Sequence, residues 1–203
     1  MARVKLNEGL VRKVYKNPEQ VLETFKPDAV EQLVWHVAAH EVGHAIYNLE
    51  TIKSSITDYP TVPSMLEESR AELTAMFTLN LLYEKGRLTL PHLQQCVVHF
   101  ALDALRYFAK FKSEPLRPYI IFQIYAYKTY MKHGFLIANE SSTGALEMSI
   151  NIEPTLAVLK EFSECYKYIL NCEDTADGKK LQELMDNMKI ETDVIKKIVQ
   201  ILA

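Results

Sequence analysis

The chain has 203 residues, of which 48% are hydrophobic and 24% are charged, and its formal net charge is -3. This composition is that of a globular protein long enough to bury a core, and it predicts a single domain over residues 1–203. The small acidic balance excludes a broad basic field, so no nucleic acid and no membrane is expected as a partner. Three cysteines, an odd number, favour reduced thiols and a cytoplasmic location.

Helical patterns dominate the chain, which contains only 6 glycines and 8 prolines. Taken in order, the predicted helices cover residues 7–26 with a division at Pro18, 28–49, 64–85, 89–108, a helix from 115 or 118 to 134, 154–171, 178–188 and 192–202. Residues 50–63 are rich in polar residues and proline, and they predict a loop. Two short apolar runs around a polar turn at 135–152 predict one β-hairpin. The expected fold is therefore mainly α, with a single small hairpin.

Capping signals place the starts of two of these helices. Asp28 is the expected N-cap of the 28–49 helix. Ser64, followed three residues later by Glu67, forms a capping-box pattern that places the next helix start at Ser64. Gly86 and Gly134 are typical of positions just after a helix ends.

His40, Glu41 and His44 form a His-Glu-x-x-His pattern inside the 28–49 helix. At about 3.6 residues per turn, the two histidines lie one above the other on the same face. The helical wheel places them within an apolar stripe formed by Val30, Leu33, Val34 and Val37. Two imidazoles in a core are costly unless something binds them. A zinc ion could do so, and the intervening glutamate could then reach a zinc-bound water.

A second motif, Glu-Glu-Ser-Arg-Ala-Glu, covers residues 67–72 of the following helix. Glu68 and Glu72 share the side of this helix that carries apolar residues, namely Ala71, Ala75, Leu79 and Leu82. Carboxylates on such a face would be costly alone, as would histidines on the facing helix. A metal bound by His40, His44 and Glu68, with one position left for water, accounts for both anomalies.

The remaining residues of the second motif have supporting roles in this interpretation. Glu72 and Glu67 could each hold the free ring N–H group of one histidine. Arg70 projects away from the metal and would pair with an acid elsewhere. His36, one turn before His40, could line the site, although a structural role is favoured for it. A tyrosine between 119 and 130 could stabilise an oxyanion, but the pattern does not identify which one.

At these two motifs the chain resembles the dipeptidyl peptidase III family of zinc metallopeptidases. That family follows a zinc-binding helix with a Glu-Glu-Cys-Arg-Ala-Glu/Asp helix, and the resemblance covers about 34–153. It implies His40, His44 and Glu68 as zinc ligands, Glu41 as general base and acid, and Glu67 and Glu72 as residues that orient the ligands. It also implies a catalytic lobe with a helix ending at Gly134 and a hairpin.

The chain departs from that family in several respects. Its zinc motif has five residues rather than the usual six, and Ser69 stands in place of the usual cysteine. The family's amino-terminal lobe, which forms the opposite wall of the cleft, has no counterpart before Val34. The family's later catalytic histidine also has no clear match, and a rough alignment places Tyr119 near it.

These features predict a zinc-dependent metallopeptidase that hydrolyses peptide substrates, with Glu41 acting on a metal-activated water. Residues 28–153 would form the zinc-site core, preceded by a helical extension, 1–27, and followed by C-terminal helices, 154–203. Three alternatives stay open. One is a non-catalytic zinc-binding domain or partner-binding subunit without the second lobe, for which a protein partner would complete the cleft. The others are a small helical endopeptidase with an open groove, and a helical bundle without metal.

Overall fold

The computed structural model describes residues 2–25, 29–47 and 49–203. Within these ranges the chain is mainly helical with one antiparallel hairpin, so the predicted fold class is confirmed. The helices are α1 Ala2–Val14, α2 Pro18–Phe25, α3 Ala29–Ile46, α4 Leu49–Ser55, α5 Val62–Glu84, α6 Leu90–Phe108, α7 Arg117–Lys132, α8 Thr155–Asp174, α9 Gly178–Met188 and α10 Asp193–Leu202. The strands are β1 Leu136–Glu140 and β2 Leu146–Ile150, and a short 3₁₀ turn, Glu114–Leu116, precedes α7.

Helix α5 lies at the centre of the helical packing. It contacts α3, α4, α6, α7, α8 and α9, and its buried apolar residues include Leu66, Leu73, Met76 and Leu79. After α5 ends, Gly86 adopts a φ of +66°, a conformation that favours glycine. Because its first turns face α3, the acidic motif of α5 is placed directly against the histidines of α3.

The two predicted boundaries around residues 50–63 are wrong. The loop prediction missed α4, in which Ile52 and the following Ile56 pack into the core while the polar residues of the segment face outward. Helix α5 begins at Val62 rather than Ser64. Pro63 lies in its first turn, where the missing N–H group costs no hydrogen bond.

Two residues, Ser64 and Asp28, were predicted to be helix N-caps. Ser64 lies inside α5 and is not its N-cap; Thr61 occupies that position without a side-chain capping bond. Asp28 lies outside the described residues. The N-cap of α6 is Thr89, whose side chain accepts a hydrogen bond from the His92 N–H group.

The hairpin packs against the N-terminal helices. Leu136 pairs with Ile150, and the register continues to Glu140 opposite Leu146. Met148 is fully buried, and its carbonyl accepts a hydrogen bond of 2.9 Å from the Lys16 N–H group just beyond α1. The predicted hairpin at 135–152 is therefore confirmed and is connected to the helical extension.

The predicted apolar stripe of α3 is the part of the fold that the structure corrects most strongly. Val34 and Val37 are 60% and 39% exposed, whereas His36 and His40 are buried. The side chains of Val30 and Leu33 lie outside the described residues. Among the described side chains of α3, the buried ones are histidines and small residues, because α5 approaches this face very closely. A Cβ atom on Gly43 would lie only 2.7 Å from the Cα atom of Ala71.

The structure also bears on the expectations drawn from composition. Cys96 and Cys172 are buried, Cys165 is half-buried, and all three are free thiols. Among the described residues, no helix combines the length and the apolar character needed to span a membrane.

Candidate metal centre

Helices α3 and α5 bring three potential ligand atoms together. Nε2 of His40 lies 3.1 Å from Nε2 of His44. Oε2 of Glu68 lies 3.2 Å from the first of these nitrogens and 3.5 Å from the second. This oxygen is buried and makes no well-aligned hydrogen bond with the described residues. The three predicted ligands therefore form a group close enough to hold a metal ion.

The other ring nitrogens of the two histidines face carboxylates. Nδ1 of His44 lies 3.3 Å from Oε1 of Glu67, and Nδ1 of His40 lies 3.6 Å from Oε1 of Glu72. The first distance is close to that of a hydrogen bond, and the second is that of a looser ion pair. Both contacts favour a proton on Nδ1, so Nε2 of each ring is the nitrogen that would bind a metal ion. Glu67 and Glu72 thus lie where the sequence placed them.

Glu72 connects His40 to His36. Glu72 is 2% exposed, and its Oε2 lies 3.0 Å from Nε2 of His36. His36 stacks on Phe100 with ring centroids 3.9 Å apart. His36, His40 and Glu72 form a second group close enough to hold a metal. The sequence favoured a purely structural His36, although its spacing of one helical turn from His40 already placed it on the same face.

The charges of this cluster determine the protonation of its members. Burial by itself would raise the pKa of Glu72, but His36 and His40 outweigh it and lower that pKa to about 2. Burial would likewise lower the pKa of His40, but the hydrogen bonds and charges of Glu68 and Glu72 raise it to about 10. In the metal-free chain near neutral pH, Glu72 is therefore ionised and His40 is protonated. A metal ion must displace the proton of His40 in order to bind there.

An open cavity of about 170 Å³ borders this cluster. Its lining residues are His36, Val37, His40, Glu41, Glu72, Arg106, Tyr107 and Tyr119. Glu41 is exposed and contributes to the cavity wall beside His40. A carboxylate in this position can exchange protons with a water or substrate in the cavity.

Tyr119, near the start of α7, is one of the tyrosines that the sequence left open for oxyanion stabilisation, and a rough alignment placed it near the family's catalytic histidine. Its ring lies parallel to that of His40, with centroids 6.4 Å apart and an interplanar angle of 14°. Burial, together with a hydrogen bond to Glu68 and the charge of that carboxylate, raises the pKa of Tyr119 to about 12. The phenol therefore stays protonated near neutral pH and can donate a hydrogen bond. No local pattern distinguishes it from the other tyrosines of α7, because the packing of α7 against α5 selects it.

Arg70 points away from the cluster, as predicted, and pairs with an acid on another helix. Its Nη1 atom donates a hydrogen bond of 2.7 Å to Oε1 of Glu173 on α8. The Arg70 guanidinium also lies 4.7 Å from the centre of the Tyr47 ring. This ion pair connects α5 to the C-terminal helices on the side opposite the histidines.

Comparisons with known proteins provide no relative from which to transfer a role. No protein-family model matches the chain, and searches of curated proteins and of solved structures found no match.

Proposed function

We propose that this chain is a zinc-dependent peptidase with His40, His44 and Glu68 as its zinc ligands. The observation that carries the proposal is the spacing of 3.1, 3.2 and 3.5 Å between the three donor atoms. Tetrahedral zinc with bonds of about 2.0–2.1 Å requires donors roughly 3.3 Å apart. Two histidines and one glutamate, with a fourth position open to water, are also a donor set of catalytic zinc sites.

The protein residues around this site have the groups that peptide hydrolysis needs. Zinc bound there would lower the pKa of a bound water to near 7 and polarise the scissile carbonyl. Glu41 would accept a proton from that water and transfer it to the leaving amine. Tyr119 would donate a hydrogen bond to the oxyanion that develops on the carbonyl oxygen. Glu67 and Glu72 would hold the two imidazole rings in the orientation that the ligands require.

The resemblance of the two motifs to the dipeptidyl peptidase III family supports this proposal. The resemblance assigns the same ligands and the same general base. The contacts of Glu67 and Glu72 with His44 and His40 also fit the orienting roles that the resemblance implies.

The exposed side of α3 supports a peptide as the substrate. Among the described side chains of this helix, five large apolar ones are more than one-third exposed: Val34, Trp35, Val37, Val42 and Ile46. Val37 also lines the cavity beside Glu41, so the apolar surface continues into the proposed site. Apolar side chains of an extended peptide could therefore contact α3 while its backbone enters the cavity.

The same surface favours a second candidate function. A non-catalytic zinc-binding subunit could use the exposed apolar face of α3 to bind a protein partner, which would then complete the cleft. Large apolar side chains on a single exposed helix are typical of protein interfaces. For either function we propose the cytoplasm as the location, since the three free thiols fit a reducing compartment.

The experiment that tests the proposal combines metal analysis with peptide hydrolysis. The chain should bind one zinc ion, hydrolyse members of a mixed peptide library, lose activity with a chelator and regain it with zinc. Glu41→Gln should keep the zinc but lower kcat by at least about a hundredfold, because it removes the proton acceptor. Tyr119→Phe should also keep the zinc and lower kcat about tenfold or more.

Glu50→Gln is the matched control, because Glu50 is an exposed acid on α4 that pairs only with Lys53 among the described residues. Its activity should equal that of the wild type. Full hydrolysis by Glu41→Gln would contradict the mechanism. One bound zinc ion with no turnover on any peptide would favour the partner-binding subunit instead.

A further inference from the structure

We infer that Arg106 binds the free carboxylate of a peptide, so that the site acts next to the carboxyl terminus of its substrate. This role rests on the proposed function, because it concerns the same cavity and the same zinc-bound state. Arg106 is the arginine among the residues that line this cavity, and these residues include no lysine. The other lining groups are two histidines, two glutamates, two tyrosines and a valine.

Arg106 is held in a fixed orientation from behind. Its Nε atom lies 2.9 Å from each carboxylate oxygen of Asp103, which is almost fully buried. Asp103 also accepts a hydrogen bond of 3.2 Å from the side-chain amide of Asn7. With its Nε end fixed, the guanidinium presents its Nη edge while a quarter of the side chain stays exposed. Such a planar edge matches the two oxygens of a carboxylate.

An aromatic wall connects Arg106 to the metal group. The Nη2 atom of Arg106 donates a hydrogen bond of 2.6 Å to the Tyr107 hydroxyl, and its guanidinium lies over the Tyr107 ring. Tyr107 stacks on Tyr119 with ring centroids 5.3 Å apart, and Tyr119 in turn lies parallel to His40. The guanidinium and His40, one of the three proposed zinc ligands, therefore line the same cavity and are separated by two aromatic rings.

The size and charge of the cavity favour a terminal carboxylate as the occupant. The open cavity has a volume of about 170 Å³, which gives room for a terminal carboxylate beside Arg106. Glu41 and Glu72 would repel a carboxylate elsewhere in the cavity, whereas Arg106 would attract it. Both carboxylate oxygens of Glu72 already contact histidine rings, at 3.0 Å from Nε2 of His36 and 3.6 Å from Nδ1 of His40, so this acid is less available to a free amino terminus.

The test compares each peptide with its C-terminal amide, which differs only in the charge of the terminal group. In the zinc-loaded wild type, kcat/KM should be at least about tenfold higher for the free acid, mainly through KM. Arg106→Gln should lower kcat/KM for the acid at least about tenfold more than it lowers kcat/KM for the amide, because only the acid carries the charge that Arg106 would contact. Arg106→Lys keeps a positive charge beside Asp103 but loses the planar edge, so it should retain only part of the preference. Arg87→Gln, at an exposed position outside the cavity, is the control.

A second measurement does not depend on turnover. Isothermal titration of zinc-loaded Glu41→Gln with the same peptide pair should show about tenfold tighter binding of the acid, and adding Arg106→Gln should remove the difference. Equal binding and equal hydrolysis of acid and amide would overturn the role of Arg106, as would an equal loss for both peptides in Arg106→Lys. Acid-selective binding without hydrolysis would support Arg106 while refuting the peptidase. Hydrolysis without acid preference would refute only Arg106.

Discussion

Replacement of Gly43 by alanine tests whether the close approach of α3 and α5 sets the spacing of the metal ligands. A Cβ atom at this position would lie 2.7 Å from the Ala71 Cα atom and 3.1 Å from the Thr74 Cβ atom. Carbon atoms in contact are normally about 3.5–4.0 Å apart. Because the nearest atoms belong to the backbone of α5, the two helices must separate by about 1 Å. That movement would draw the histidines of α3 away from Glu68.

Gly43→Ala changes the free energy of unfolding in two opposite ways, through overpacking and through helix propensity. Overpacking of this kind costs about 1–3 kcal/mol. The better helix propensity of alanine returns about 0.5–1 kcal/mol, so the metal-free variant should lose up to about 2 kcal/mol in its free energy of unfolding. Since a metal site tolerates deviations of only about 0.2 Å in its ligand distances, zinc affinity should fall at least about tenfold.

Urea unfolding of the chelated protein and competitive zinc titration measure these two quantities. Gly9→Ala is the matched control, because Gly9 is an exposed glycine of α1 whose added Cβ atom would meet nothing within 4 Å. That variant should gain about 0.5–1 kcal/mol and bind zinc like the wild type. A Gly43→Ala protein as stable as Gly9→Ala, with unchanged zinc affinity, would refute the reasoning.

Three further predictions concern His36 and the proposed ligand His40. His36→Leu removes the partner that holds Glu72, so zinc affinity should fall about 10- to 100-fold in competitive titration. The control, His92→Leu, lies outside the site and should bind zinc like the wild type. An unchanged zinc affinity in folded His36→Leu would contradict this role of His36. Zinc binding near pH 7 should release about one proton per chain, because the pKa of His40 is raised to about 10. Calorimetry in buffers of different ionisation enthalpy measures this release, and none should be seen if His40 is already neutral. A raised histidine pKa stabilises the fold below the ordinary value of 6.5, so the metal-free chain should lose stability as the pH rises from 6.5 to 10.

Most of the fold could be predicted because its signals are local. Helical periodicity, the glycines at 86 and 134 and the polar turn of the hairpin each depend on a few neighbouring residues. The exception is α4, where Ile52 and Ile56 are too few to produce a visible period among polar residues. The start of α5 was misplaced for a related reason: Glu67, read as part of a capping box, contacts His44 instead.

The site was only partly predictable from the same sequence. The two motifs indicated the three candidate ligands and the two carboxylates that lie beside their rings, because a helical turn determines which side chains share a face. Hydrophobicity pointed to the wrong side of α3, since Val34 and Val37 are exposed there. Tyr119 and Arg106 come from helices remote in sequence, and only the packing of α6 and α7 places them beside His40.

The pair formed by Arg70 and Glu173 has a consequence for any attempt to transplant the metal site. Arg70 is 1% exposed, and its partner belongs to α8, beyond the segment that contains both motifs. A fragment ending before α8 would lose this counter-charge together with the helix that packs on α5 beside Arg70, and loss of one partner of a buried ion pair typically costs about 3–5 kcal/mol. That cost is comparable to the entire stability of many small domains. The candidate ligands of this chain therefore cannot be transferred to another protein on α3 and α5 alone. A design that uses these two helices must also include an acid that neutralises Arg70.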